Sequence, residues 1–462
     1  MFVLLFRAQL GIISAMRTHF HAGFLCKPTA VVMALFLSLT QTTVMADAAA
    51  EPTLAEVQAV KEYIRAGWPG TIRTTGQPEM PKEIALPKSF TVPTSDPIFR
   101  VFFYWDTYFT SIGLVHDGQT EVACNNTENM VYLIEKLGFV PNSNTTGRDN
   151  RSQPPVAALQ VELCLPYQTS REWRERAYNA LEQEYAFWMT FRAFPDGLNH
   201  YGGNATPNQL KSFAKGILPR LPAMPEEPVA RGQFVNHAIA VAESGWDFTP
   251  RWDDRCPEFA SVDLNSLLYV TERVAGDLAK ELGNGQETKW RKRMNHRRET
   301  MYRLMWDKKR GIFQDYDEAN RRKSSFVSAA SFFPLFCGVA DADEAKKSAK
   351  TLLAALETPY GLDTALAGPR DQTYQWDSPN LWPPLQWVAV KGLLASGQRE
   401  AAVRLARKYV ATVTRNFKTS HHLWEKYNAR AGTIDVSDEY EMPVMMGWTA
   451  GVFLACCEVA GY

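Results

Sequence analysis

The chain has 462 residues, with 50 Lys and Arg against 50 Asp and Glu, and it is 45% hydrophobic and 22% charged. Such a composition can bury a large core and excludes wholesale disorder. The zero net charge argues against a basic nucleic-acid binder and a polybasic membrane-surface protein. The unusual figure is the aromatic one, 13 Trp, 17 Tyr and 25 Phe, or 12% of the chain. Such a surplus serves either a large core or a pocket whose flat apolar faces take sugar rings.

At the N-terminus, Lys27 precedes an uncharged run from Pro28 to Ala46 with its apolar heart at Ala30–Leu39. Val44 and Ala46 stand at −3 and −1 before Asp47, so residues 1–46 read as a secretory signal cleaved after Ala46. Met1–Met16 is a second apolar stretch, which points to a true start at Met16 or Met33; the alternative is an N-terminal anchor helix. We therefore expect a periplasmic or secreted protein with no membrane span after cleavage and a single catalytic domain over 47–462. Its six cysteines, Cys124, Cys164, Cys256, Cys337, Cys456 and Cys457, show no CxxC and no zinc-site spacing. An oxidising compartment would allow one disulfide among them, and spacing does not designate the pair.

Apolar residues at three- and four-residue spacing predict helices over Leu54–Trp68, Glu121–Leu137, Ser170–Phe194, Phe259–Leu282, Glu287–Trp306, Asp343–Leu356 and Arg399–Phe417. Ser170 is a plausible N-cap, with Glu172 behind it in the first turn. No stretch of alternating β-branched residues supports a sheet-centred fold. The Pro/Gly/Asn/Asp-rich segments 74–97, 139–155, 195–228, 366–384 and 428–443 read as connectors, and many helices of similar length suggest a ring or solenoid of helix pairs.

The aromatic residues concentrate beside acids. Tyr104-Trp105-Asp106, Gly245-Trp246-Asp247-Phe248 and Gln375-Trp376-Asp377 each place an Asp after a Trp, and Trp424-Glu425 adds a fourth aromatic-flanked acid. One such pair is most simply a buried aromatic with a local cap; three in polar connectors suggest a carbohydrate site. Glycoside hydrolysis needs two carboxyl groups in different protonation states. An acid held against apolar rings keeps its proton, and Asp247 fits that part by composition. For the hydrated partner, composition leaves Glu425, Glu439, Asp106 and Asp377 open.

The segments YWDTYF, GFVPNSN with NRSQPP, ESGWDF..RW, VDLNSLLY, QWDSPN.WPPLQW, EKYN and EY…GWT resemble the trehalase family of glycoside hydrolases, in the same order from about residue 100 to the C-terminus. The resemblance implies an all-α (α/α)6 toroid with long functional loops at one end. It also implies an inverting mechanism with carboxyl groups about 6.5–9.5 Å apart, and neither metal nor organic cofactor. It puts Asp247 in the general-acid place and Glu425 in the general-base place. Phe99, Trp105, Asp106, Asn142, Arg151, Gln375, Trp376, Asp377 and Glu439 fall where the family lines its sugar pocket. The partner implied is a small sugar, not a nucleic acid, and we expect a monomer.

The departures cluster on the acceptor side. Ile98 and Val101 replace an Arg and a Glu usual before YxWD, leaving Arg100 or Arg148 as the available substitutes. The Arg-Pro-Glu-Ser segment has only Pro225-Glu226-Glu227-Pro228 as a loose counterpart. Leu381 stands at a usually small position, and Ala431–Asp438 replaces a glycine-rich loop. The reading is a trehalase. The alternatives are a sister hydrolase of another α-glucoside, such as a glucosylglycerate, or an inactive sugar-binding relative.

Overall fold

The helices fall into two kinds according to how many of their sides are apolar. In the computed structural model, which describes residues 51–217, 227–370, 373–436 and 441–462, the helices with one apolar stripe lie outermost and those apolar all round lie within. The proposed signal segment 1–46 and Glu439 lie outside the described residues, as do Pro225 and Glu226.

Among the described residues, six helix pairs follow in chain order. The outer members are α1 (Leu54–Gly67), α3 (Thr120–Leu137), α5 (Arg171–Phe191), α9 (Glu287–Leu304), α11 (Ala342–Leu356) and α13 (Arg399–Ser420). The inner members are α2 (Tyr104–His116), α4 (Ala157–Cys164), α8 (Val262–Leu282), α10 (Phe333–Phe336, continuing a 3₁₀ turn from Ala329), α12 (Pro383–Ala395) and α14 (Gly447–Ala460). Each inner helix packs on the next, α2 on α4, α4 on α8, α8 on α10, α10 on α12 and α12 on α14, and α14 returns to α2. That closed circuit is the (α/α)6 toroid. The strands among the described residues are two-residue pairings. Two further helices, α6 (Pro207–Ile217) and α7 (Pro228–Ser244), are inserted in the third pair.

Local chemistry sets the ends of the outer helices. Thr53 and Glu56 form a reciprocal capping box at α1, and the Ser170 hydroxyl accepts from Trp173 N at 3.1 Å, the cap expected from the sequence. The seven predicted helices, six outer ones and the inner α8, are all present, with ends shifted by a few residues; Phe259 is in a strand and α8 begins at Val262. The unforeseen elements are inner or inserted. In α2 every residue from Tyr104 to Leu114 is buried, as is every residue of α14 from Gly447 to Cys457. Burial on all sides removes the polar face that creates a 3.6-residue period, so these segments carry no helical signal in the sequence. Trp105 and Asp106 accordingly stand on the first turn of a helix, not in a loop.

Ring closure needs two glycines. A Cβ on Gly451 would lie 2.0 Å from Phe109 O, and one on Gly113 would lie 2.4 Å from Gly451 Cα. Backbone therefore meets backbone where the last inner helix docks on the first.

Candidate active site

The sequence motifs are tied to each other by main-chain and buried side-chain hydrogen bonds at one end of the ring. Strand β1 (Asn380–Leu381) pairs antiparallel with β2 (Tyr427–Asn428), which sets the QWDSPN segment beside EKYN. Trp376 N donates to Phe248 O at 3.1 Å and the Thr249 hydroxyl donates to Trp376 O at 3.1 Å, joining QWDSPN to ESGWDF. Trp105 N donates to Gln153 Oε1 at 3.1 Å, joining YWD to NRSQPP, and Asn142 N donates to Arg151 O at 2.9 Å, joining GFVPNSN to the same segment.

This network surrounds a cavity of about 770 Å³. Of the residues expected at a sugar site, Phe99, Trp105, Asp106, Asn142, Arg151, Gln375, Trp376, Asp247 and Glu425 all line it. Asp377 is not on that wall. Its carboxylate takes the Arg370 guanidinium on both oxygens, with Nη2 at 3.1 Å, and is almost fully buried. An acid directly after a wall residue points the other way because QWDSPN is folded back on itself. Asn380 Nδ2 and Trp382 Nε1 both donate to Gln375 O, at 2.8 and 3.2 Å.

The walls are tryptophan. Trp376 stacks on Trp382 with centroids 3.9 Å apart and planes 4° apart. Trp105 stands 5.7 Å from Trp376, and Trp448 meets both Trp105 and Trp382 edge-on. Trp382 in WPPLQW and Trp448 in GWT also form the wall, where the sequence carries no signal separating wall from core; Phe103, Arg148, Gln153 and Phe213 likewise join the wall. Behind the wall, Trp246 packs 5.2 Å from Trp376 and lies over Arg251. Arg251 is buried with its guanidinium on Asp263 and Asp315 at 2.7–2.9 Å. The Arg of ESGWDF..RW and the Asp of VDLNSLLY therefore make a scaffold ion cluster, a fully hydrogen-bonded arrangement of buried charge.

The carboxylates differ in setting. Glu425 is buried, with the Lys426 ammonium 2.9 Å from Oε2 and Trp448 Nε1 donating to its main-chain oxygen at 3.0 Å. Lys426 in turn lies over the Trp382 ring at 4.9 Å. Asp247 is half-buried on the cavity wall, next to Phe248, whose φ of 56° is unusual for a bulky residue. Burial, with smaller contributions from the nearby charges of Glu425 and Asp247, raises the Asp106 carboxyl to about 7. The three carboxyl groups thus share one electrostatic environment.

The departures from the family pattern fall into two groups. Leu381 is buried against Gly361, where a Cβ would lie 2.5 Å from Leu381 Cδ1, so the larger side chain is accommodated inside the scaffold. On the cavity rim, Ile98 is 51% exposed and Arg148 lies 5.1 Å over the Phe103 ring. Arg100 instead donates to Gly70 O at 2.9 Å.

A six-pair helical toroid whose loops bring carboxyl groups into a tryptophan-walled cavity defines a glycosidase of the helical-toroid class. The trehalase family model matches residues 40–461. The periplasmic trehalase of Pseudomonas aeruginosa is 35% identical over 420 residues, covering 85% of this chain and 75% of that protein. That of Escherichia coli is 31% identical over 425 residues, covering 86% and 74%. In structure, the neutral trehalase of Saccharomyces cerevisiae matches with a TM-score of 0.70 at 25% identity, over 80% of this chain and 73% of that one. A mannosylglycerate hydrolase from Thermus thermophilus shares the fold at a TM-score of 0.56 and 18% identity, over 86% of this chain and 99% of that one. The chain belongs to the trehalase family and is a glycoside hydrolase.

Proposed function

We propose that the protein is a periplasmic trehalase, a single catalytic domain after removal of residues 1–46, that hydrolyses α,α-trehalose to two glucoses with inversion. The observation that carries the reading is that Asp247 and Glu425, far apart in the chain, face one cavity walled by Trp105, Trp376, Trp382 and Trp448. Indole faces suit the CH faces of a pyranose, and the buried Asn142, Arg151 and Gln375 offer directional hydrogen bonds to its hydroxyls. Location follows the relatives' names and the signal-like leader; no helix among the described residues is long and apolar enough to cross a membrane.

In the proposed mechanism the Asp247 carboxyl protonates the glycosidic oxygen as the C1–O bond breaks. A water held by Glu425 gives that carboxylate a proton and attacks C1 from the opposite face. The cycle leaves Asp247 ionised and Glu425 protonated, and proton exchange with solvent restores both. Asp106, raised to about 7 by burial, carries its proton at mildly acid pH and can donate to a sugar hydroxyl there.

One observation favours a second reading of the acceptor side. The rim carries Ile98, Lys82 and Arg148 around the mouth of the cavity, a setting suited to an acceptor other than glucose, such as the carboxylate-bearing glycerate of a glucosylglycerate. A panel of trehalose, glucosylglycerate, maltose and nigerose tests both readings. Glucose release from trehalose is expected, with one β-glucose from the attacked ring and one α-glucose from the leaving ring per turnover, read by NMR before mutarotation. No release from trehalose at high enzyme concentration would sink the first reading, and release from glucosylglycerate alone would establish the second.

A further inference from the structure

All six cysteines among the described residues are buried thiols, and two of them sit across one helix seam. Cys124 lies near the start of α3 and Cys164 is the last residue of α4, and the two helices pack side by side. Gln160, one turn before Cys164, donates from Nε2 to Ala123 O at 3.0 Å and to Thr127 Oγ1 at 3.1 Å. Thr127, one turn after Cys124, brings the same hydroxyl to 3.1 Å from Cys164 Sγ. These contacts bracket the seam, so Cys124 and Cys164 project into the same gap. Each thiol also shifts the other: the Cys164 thiol holds Cys124 below the usual thiol range, while Cys124 and burial push Cys164 up. Among the described residues no other cysteine pair shows such contacts. Cys456 and Cys457 are neighbours on one helix, where successive side chains point about 100° apart, and Cys256 and Cys337 lie on separate elements.

We propose that Cys124 and Cys164 form a disulfide in the exported protein. Either thiolate can make the first attack in the folding chain, taken here as Cys124. The oxidant is the exchangeable disulfide of a thiol–disulfide oxidoreductase, the class that works in an oxidising extracytoplasmic compartment. Cys124 thiolate attacks that disulfide, releasing one thiolate of the oxidoreductase and forming a mixed disulfide. Cys164 thiolate then displaces the second. Two S–H bonds are lost, one S–S bond forms, two protons leave, and the oxidoreductase disulfide is reduced to a dithiol. Because both cysteines are buried in the finished fold, the exchange belongs to folding after export.

The position links this bond to the site. The two cysteines lie at the feet of α3 and α4, and the opposite ends of those helices hold the loop that delivers Asn142, Arg148, Arg151 and Gln153 to the cavity. The bond would anchor the hairpin beneath that loop without touching substrate. It stands independently of the glycosidase reading, since its assay uses no activity.

The experiment is alkylation of the full chain, exported to the periplasm of a host and denatured without reductant. Four of the six cysteines should take label and the intact mass should fall by two hydrogens. Peptide mapping should find Cys124 and Cys164 cross-linked, with six labels after reduction. The Cys124→Ala/Cys164→Ala double variant should melt about 3–8 °C below the oxidised protein, with kcat unchanged. Six labelled thiols before reduction, or a cross-link between any other pair, would overturn the proposal, whatever the double variant does.

Discussion

Glu243 takes two guanidinium nitrogens of Arg192, Nε at 2.7 Å and Nη2 at 2.9 Å, with both side chains almost fully buried. The same carboxylate also accepts from Ser152 N at 2.9 Å and Gly202 N at 2.6 Å. Four donors thus converge on one acid four residues before Asp247. They tie the end of α7 to the C-cap of α5 and to the NRSQPP loop, so the acid of ESGWD that does not face the cavity holds in place the one that does. Arg192→Ala leaves that buried carboxylate short of its cation at a cost of about 3–5 kcal/mol. The melting temperature should fall by several degrees and KM should rise as Ser152 and Gln153 shift. The Arg192→Met/Glu243→Leu double variant should recover part of the stability, and an unchanged melting temperature in Arg192→Ala would refute the anchoring role.

Asp247→Asn and Glu425→Gln each remove a proton-transfer group while keeping shape. Each should lower kcat by about 10²–10⁴-fold, with circular dichroism and melting close to the parent. Near-normal hydrolysis by either variant would overturn the acid and base assignments.

Asp106 gives a pH dependence with a definite sign. Its carboxyl is raised in the fold from 3.8 to about 7, so the folded protein binds a proton that the unfolded chain has lost. Its contribution to stability is fully present below pH 3.8 and is lost as pH rises toward 7. Burial limits that contribution to roughly 2–4 kcal/mol. Asp106→Asn cannot ionise and should flatten this part of the stability–pH curve, melting higher than the parent relative to pH 4 when both are taken to pH 8. Parallel curves for the two proteins would show that Asp106 titrates normally.

The contact of α2 with α14 should tolerate no side chain. Gly451→Ala places a Cβ 2.0 Å from the Phe109 carbonyl oxygen, which is backbone and cannot turn aside. A cost of at least 1–3 kcal/mol is expected. Gly232, inside α7 with nothing within 4 Å of its would-be Cβ, is the control. Gly232→Ala should be neutral or stabilise by about 0.5–1 kcal/mol. Equal melting temperatures for the two variants would remove the close-approach argument.

Arg148 tests the acceptor side. If it grips the leaving group from its seat over Phe103, Arg148→Ala loses a charge-assisted hydrogen bond and KM should rise about tenfold with kcat within twofold. Initial rates on the preferred substrate of the panel supply the measurement. An unchanged KM would show that Arg148 does not touch the acceptor.

What could be read from the chain alone was whatever local pattern or clustered residue types express. The outer helices carry a stripe-and-face period because one side meets water, and caps such as Thr53 and Ser170 mark their starts. The Trp-Asp and Trp-Glu pairs announced a sugar site, and the trehalase resemblance carried the toroid fold and most of the wall. The tertiary structure decided the rest. It showed that α2, α12 and α14 are helices, because their burial on all sides erases periodicity. It turned Asp377 away from the cavity onto Arg370, because a backbone reversal at Gln375–Asn380 separates neighbours that sequence places together. It raised Asp106 rather than leaving it an ordinary acid, because desolvation and the fields of Glu425 and Asp247 exist only once distant segments meet. Residue types and spacing are local properties; burial, direction and charge environment belong to the closed ring.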